Sequence, residues 1–137
     1  MLRFPNKIKY GLQFLLYLDV DTEDYTDIQR AAISCEIPHK FLEGIAVALK
    51  KHGILEVKRG AGGGYKLTRD ARNITLVTAL SRVSEKPHPK SMELTGQVVD
   101  EVFDETVKQF WEILNKQSLH QMQQKYYESA DKLMYYI

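Results

Sequence analysis

Four glycines fall within the five residues 60–64, and no packed element can absorb such a run. The segment reads Arg59-Gly60-Ala61-Gly62-Gly63-Gly64. Before it stands Ile54-Leu55-Glu56-Val57-Lys58 and after it Tyr65-Lys66-Leu67-Thr68, and both flanks alternate apolar with polar residues. That alternation belongs to strands with one buried face, so the pattern predicts a hairpin with a glycine tip. The tip can bring its backbone close to a partner. A lone hairpin is marginal in water, so the rest of the chain must supply its apolar support.

Upstream, residues 7–19 predict an amphipathic helix. Ile8, Leu12, Leu15, Leu16 and Asp19 recur at helical spacing, and Tyr10, Phe14 and Leu18 broaden the apolar face. A polar connection at 19–25 follows. Thr26 or Asp27 can cap a short second helix bearing Ile28, Ala31 and Ala32. Ser34-Cys35-Glu36 reads as a turn, and Pro38 as the first position of a third helix, where its missing N–H costs nothing. Leu42, Ile45, Ala46 and Leu49 make one stripe of that helix, while Lys40, Glu43, Lys50 and Lys51 lie off it. Gly53 suits the helix end. Two helices joined by a tight turn and followed by a basic hairpin form a winged helix-turn-helix.

Downstream, Thr75 can cap a short helix over 76–83 that carries Leu76, Ala79, Leu80 and Val83. Residues 85–96, with Pro87-His88-Pro89, read as a linker. A long helix is expected over 97–117. Val99, Phe103, Val107, Phe110 and Leu114 track one face, with Val102 and Ile113 beside it and Trp111 widening it. A long apolar helix after a small domain has little of its own chain to cover, which favours a dimer seam over intrachain core. The tail at 118–137 is helix-permissive and holds Leu119, Met122 and the tyrosines 126, 127, 135 and 136. Its aromatics are read as packing rather than as the lining of a ligand pocket. The fold class is therefore mainly α with a small β-hairpin wing, a winged helix-turn-helix plus a long C-terminal dimerisation helix. The expected divisions are 1–84 for nucleic-acid binding, 85–96 for the linker, and 97–137 for dimerisation and tail.

The 137 residues carry a net charge of +1, which by itself points to no partner. Its distribution is informative: residues 37–72 hold eight Lys/Arg against three acids, whereas 73–137 hold seven against nine. A basic middle beside an acidic remainder suits a face turned toward double-stranded DNA. On the third helix, Pro38, His39, Lys40 and Glu43 occupy the end that reaches base edges in a major groove. Glu43 can accept from a cytosine amine. Arg59, just before Gly60, can enter a narrow minor groove, where negative potential is concentrated. Lys7, Lys9, Lys58, Lys66 and Arg69 are candidates for phosphate contacts.

These strings resemble the Rrf2 family of bacterial transcriptional regulators. The wing, 59–69, is followed by Ile74-Thr75-Leu76. The resemblance also covers Phe41-Leu42-Glu43, Leu49-Lys50-Lys51-His52-Gly53-Ile54-Leu55 and Lys7-x-Lys9-Tyr10, from about residue 6 to 84 and loosely into the long helix. It implies a homodimer on a pseudo-palindromic operator, with the long helix crossing its partner; the regulator is expected to be a repressor. This sequence departs from the pattern twice. Family members that sense iron–sulfur state, nitric oxide or redox carry three cysteines in the stretch corresponding to 85–96, and here there are none. No iron–sulfur cluster, and no other cofactor, is expected. Gly44 stands where base-reading members often have glutamine.

Rival readings are weaker. A winged-helix protein-interaction module that has lost DNA binding is the main alternative, against which Arg59, Lys40 and Lys58 argue. Enzymatic activity is not expected: no nucleophile–base pair or metal spacing exists, and the glycine loop lacks a P-loop ending. Histidines 39, 52, 88 and 120 show no ligand spacing, and His88 reads as loop filler. Cys35 is the single cysteine, read as a small buried filler in preference to a redox switch. The signal stays open between a small-molecule effector near the long helix, Cys35 chemistry and a partner protein. With no secretory leader pattern and no run of 18 apolar residues, a cytoplasmic location and no membrane contact are expected.

Overall fold

Phe14, Leu15 and Leu18 recur on one side of α1 (Asn6–Val20), and all three are buried in the core. The computed structural model describes residues 6–20, 24–69, 71, 75, 79–80 and 89–136. After α1 come α2 (Ile28–Cys35), α3 (His39–Lys51), β1 (Leu55–Lys58), β2 (Gly64–Leu67), α4 (Leu94–Leu114) and α5 (Leu119–Tyr135).

Of the two candidate caps for α2, Asp27 is the one used: its carboxylate accepts the Arg30 N–H at 3.4 Å. Thr26 is instead buried and pairs with β2. The turn expected at 34–36 is narrower, because Ser34 and Cys35 complete the helix. Glu36 adopts the left-handed conformation, φ 56°, so that its N–H reaches the Ile33 carbonyl and the Ile37 N–H reaches that of Ala32 at 3.0 Å. A left-handed non-glycine residue costs roughly 1 kcal/mol. The two terminal hydrogen bonds and the burial of Ile37 offset it.

In α3, Leu42, Ile45, Ala46 and Leu49 are all buried, as their spacing requires. Pro38 lies one position earlier than the sequence suggests. Its ψ of 130° is extended, and only its carbonyl enters the helix, accepting the Leu42 N–H at 3.0 Å. Gly53, at φ 77°, ends the element: its N–H bonds the Lys50 carbonyl and the Ile54 N–H bonds that of Leu49, both at 3.0 Å. Leu49 and Ile54, buried at either end of that second bond, seal the turn.

The wing hairpin pairs Leu55 with Leu67, Glu56 with Lys66, Val57 with Tyr65 and Lys58 with Gly64. Gly64, read from sequence as loop, is the first residue of β2. Thr26 bridges the outer side of that strand through two backbone hydrogen bonds with Tyr65, each 2.8 Å. At φ 143°, Gly64 has no room for a Cβ, which would strike the Thr26 backbone. Gly64→Ala is therefore expected to destabilise the fold by about 1–2 kcal/mol, lowering Tm by roughly 5 °C in a thermal melt followed by circular dichroism. An unchanged Tm would remove the Thr26–Tyr65 bridge from the account of wing attachment.

The carboxy-terminal part is not separate from this core. Ala79 and Leu80 are helical and buried, and the Ala79 N–H bonds the Thr75 carbonyl at 3.0 Å. The rest of the short helix expected at 76–83 lies outside the described residues, as do Pro87 and His88 of the linker. The long helix starts at Leu94 rather than at 97. The Ser91 N–H donates to Asp100 at 2.9 Å, and the Ser91 side chain lies against Gly96, which the helix accepts because no Cβ competes for that space. It ends at Leu114. Ser118 then opens α5 with reciprocal bonds: its hydroxyl accepts the Gln121 N–H and its own N–H donates to the Gln121 side chain. Leu119 drops into the common core, and α5 packs on α1.

Candidate nucleic-acid interface

The buried stripe of α3 leaves its other side facing solvent. His39, Lys40 and Glu43 are exposed there, with His39 Nδ1 3.8 Å from Glu43 Oε1. At Gly44 an added Cβ would meet nothing within 4 Å, so the surface here is open. No side chain caps the start of α3, which leaves its first N–H groups and the positive end of the helix dipole toward solvent. Lys50 and Lys51 sit in the last turn, where cations suit the dipole.

Phe41 joins α1 to this surface. Its ring meets that of Tyr10 edge-on at 5.3 Å, so the first turns of α1 stand beside the first turn of α3. Lys9 is exposed and Lys7 half-buried on that part of α1. Pro38, by contrast, contributes its carbonyl to the helix start.

The hairpin register sorts the wing by face. Leu55, Leu67 and Tyr65 turn to the core, so Glu56, Lys58 and Lys66 share the opposite, outward face. Arg59 is exposed at the base of the tip, which closes through the Gly63 N–H on the Gly60 carbonyl at 3.0 Å. Tyr25 was not among the residues singled out from sequence. Its ring lies under both wing lysines, 5.9 Å from Lys58 Nζ and 5.7 Å from Lys66 Nζ. Only the Thr26–Tyr65 bridge brings it there, and nothing in local composition announces that pairing.

The apolar stripe expected on α4 divides in two. Val99, Val102, Phe103, Val107 and Ile113 are exposed, Val102 at 61% and Phe103 at 64%. Phe110 and Leu114 are half-buried, and Leu114 packs with Trp111 on the common core. The reason is the turn at Ser118, which docks the end of α4 on the domain. Cys35 is buried at the end of α2, and its carbonyl accepts from Gln13 Nε2 at 2.8 Å.

A basic wing beside a helix with an open polar face is the arrangement of a DNA-reading domain. The family model described as "Rrf2: Iron-dependent Transcriptional regulator" matches residues 4–125. The chain belongs to the Rrf2 family. It is a transcriptional regulator with a DNA-binding winged-helix fold, and not an enzyme. An rrf2-like HTH-type transcriptional regulator of Rhodobacter capsulatus is 30% identical over 105 residues, 72% of this chain and 70% of that protein. The solved structure of T. potens IscR superposes with a TM-score of 0.73 at 26% identity, covering 93% of this chain and 90% of that one. CymR, described as the global cysteine regulator of B. subtilis, shares the fold at 23% identity, with a TM-score of 0.65 over 91% of this chain and 98% of that one.

The iron in the Rrf2 description finds no thiolate set here. A cysteine-ligated cluster needs several thiolates, and the chain has one cysteine, withdrawn into the core. Among the described residues no group of three or more His, Cys, Asp or Glu is arranged to hold a metal ion. The residues present do not fit such a cluster. Among the described residues, too, no helix is long and apolar enough to cross a membrane.

Proposed function

We propose that this Rrf2 member binds a pseudo-palindromic operator as a homodimer, acts as a repressor, and does so without an iron–sulfur cluster. The observation that carries the reading is the seven large apolar side chains left exposed along α4, from Leu94 to Ile113, next to a DNA-reading unit. A single copy leaves that face in water; a symmetry-related copy covers it with the same face. Two α3 helices then enter successive major grooves about one helical turn apart, roughly 34–36 Å. His39, Lys40 and Glu43 read bases there, while Lys7, Lys9, Lys58 and Lys66 meet phosphates. Arg59 and Gly60 enter the flanking minor groove. Repression follows where such a site overlaps a promoter. The signal is an effector other than a thiolate-bound cluster.

The test is genomic DNA capture with the purified chain, followed by footprinting and titration over a range of salt. The expected result is a two-fold symmetric site whose affinity falls steeply with salt. Absence of any salt-dependent duplex affinity would overturn DNA binding. An absorption spectrum after anaerobic purification checks the remaining claim, since bands of an iron–sulfur cluster would overturn it.

A further inference from the structure

Tyr25 is held on three sides although it belongs to no helix or strand. Its N–H donates to the Asp24 carboxylate at 2.8 Å. The next residue, Thr26, is fixed by both backbone bonds to Tyr65, and Asp27 caps α2. Antiparallel pairing of Thr26 with Tyr65 sets Tyr25 beside Lys66, on the outward face. Lys58 lies diagonally across the hairpin on that face, since Lys66 pairs with Glu56, two residues earlier.

We infer that Tyr25 is a positioning residue for DNA: it gathers Lys58 and Lys66 into one phosphate-binding pair on the outward face of the wing. This rests on the DNA-binding reading above. Both ammonium groups lie within 6 Å of the ring centroid, the range in which a ring face attracts a cation. Among the described residues Glu56 makes no ion pair with either lysine, so that carboxylate does not neutralise their charge. Two like charges gathered at one ring repel each other, and a phosphate arriving between or beside them relieves that repulsion. The ring also restricts two otherwise free four-carbon chains before DNA arrives, which lowers the entropy lost on binding. Tyr25 therefore acts on affinity and on salt dependence through the lysines.

The experiment titrates a labelled mixed-sequence duplex of about 30 base pairs, room for two half-sites a turn apart, with the full chain across a salt series. Tyr25→Leu is expected to weaken binding about three- to tenfold, and Tyr25→Phe, which keeps the ring, to stay within about twofold of the parent. In the Lys58→Ala/Lys66→Ala background, where a dimer on two half-sites loses four phosphate contacts, the salt slope should fall by about 4, and adding Tyr25→Leu should then change nothing further. Equal binding by Tyr25→Leu and the parent overturns the inference alone, as does the same loss with both lysines absent. A parent chain without salt-dependent duplex affinity overturns the DNA-binding reading and this inference with it. Should Tyr25→Leu fail to fold, proton spectra of the parent decide. Ring-current upfield shifts at the lysine 58 and 66 CεH2 groups support the pairing, and random-coil shifts at both overturn it.

Discussion

Arg59→Ala is expected to lower operator affinity about ten- to hundredfold and to relax sequence preference just outside each half-site. The size follows from position. Arg59 is exposed, directly ahead of a tip in which no side chain is larger than the methyl of Ala61, so the backbone and the guanidinium can enter a narrow groove together. A guanidinium in such a groove meets concentrated negative potential and discriminates by groove width. Lys58, one residue away, faces outward from the strand and is expected to meet only phosphate. Its loss should weaken all duplexes about equally and, with two copies in the dimer, lower the salt slope by about 2. Quantitative gel shifts on operator and on scrambled flanks separate the two. If Arg59→Ala kept both affinity and flank preference, the wing tip would have no part in recognition.

Phe103→Glu is expected to convert the proposed dimer to a monomer without unfolding the domain. Phe103 is 64% exposed and belongs to no buried cluster, so the single copy loses little when it is replaced. Across a two-fold seam each substitution counts twice. Two lost phenylalanine burials come to roughly 3–6 kcal/mol, and the symmetric carboxylates add desolvation to that. The dimer Kd should thus rise more than about a hundredfold. Sedimentation velocity reads the change directly, and the salt slope of DNA binding should approach half the parent value. A variant that sediments as the parent does would place the seam elsewhere on the surface.

Much of the DNA-reading unit was legible from periodicity. The stripe Leu42–Leu49 told which side of α3 is buried, and therefore that His39, Lys40 and Glu43 face out. The alternation around the glycines set the hairpin, because a period of two admits one assignment of faces once Leu55 and Leu67 are inside. Boundaries were less legible. Pro38 moved to the cap, and the long helix began at Leu94, because end positions depend on capping geometry and on Ser91 folding against Gly96.

The glycine-tipped hairpin with Arg59 at its base, the helix stripes and the absence of a thiolate set were all determined by the sequence itself. These depend on residue type and on neighbours a few positions away. Tertiary structure alone decided that Tyr25 lies under Lys58 and Lys66, that Leu119 returns to the first core, and that the α4 stripe divides at Phe110. Those outcomes rest on pairings between distant segments, Thr26 with Tyr65 and α5 with α1. A hydrophobic pattern states that a face must be covered; which element covers it is settled by how the whole chain packs.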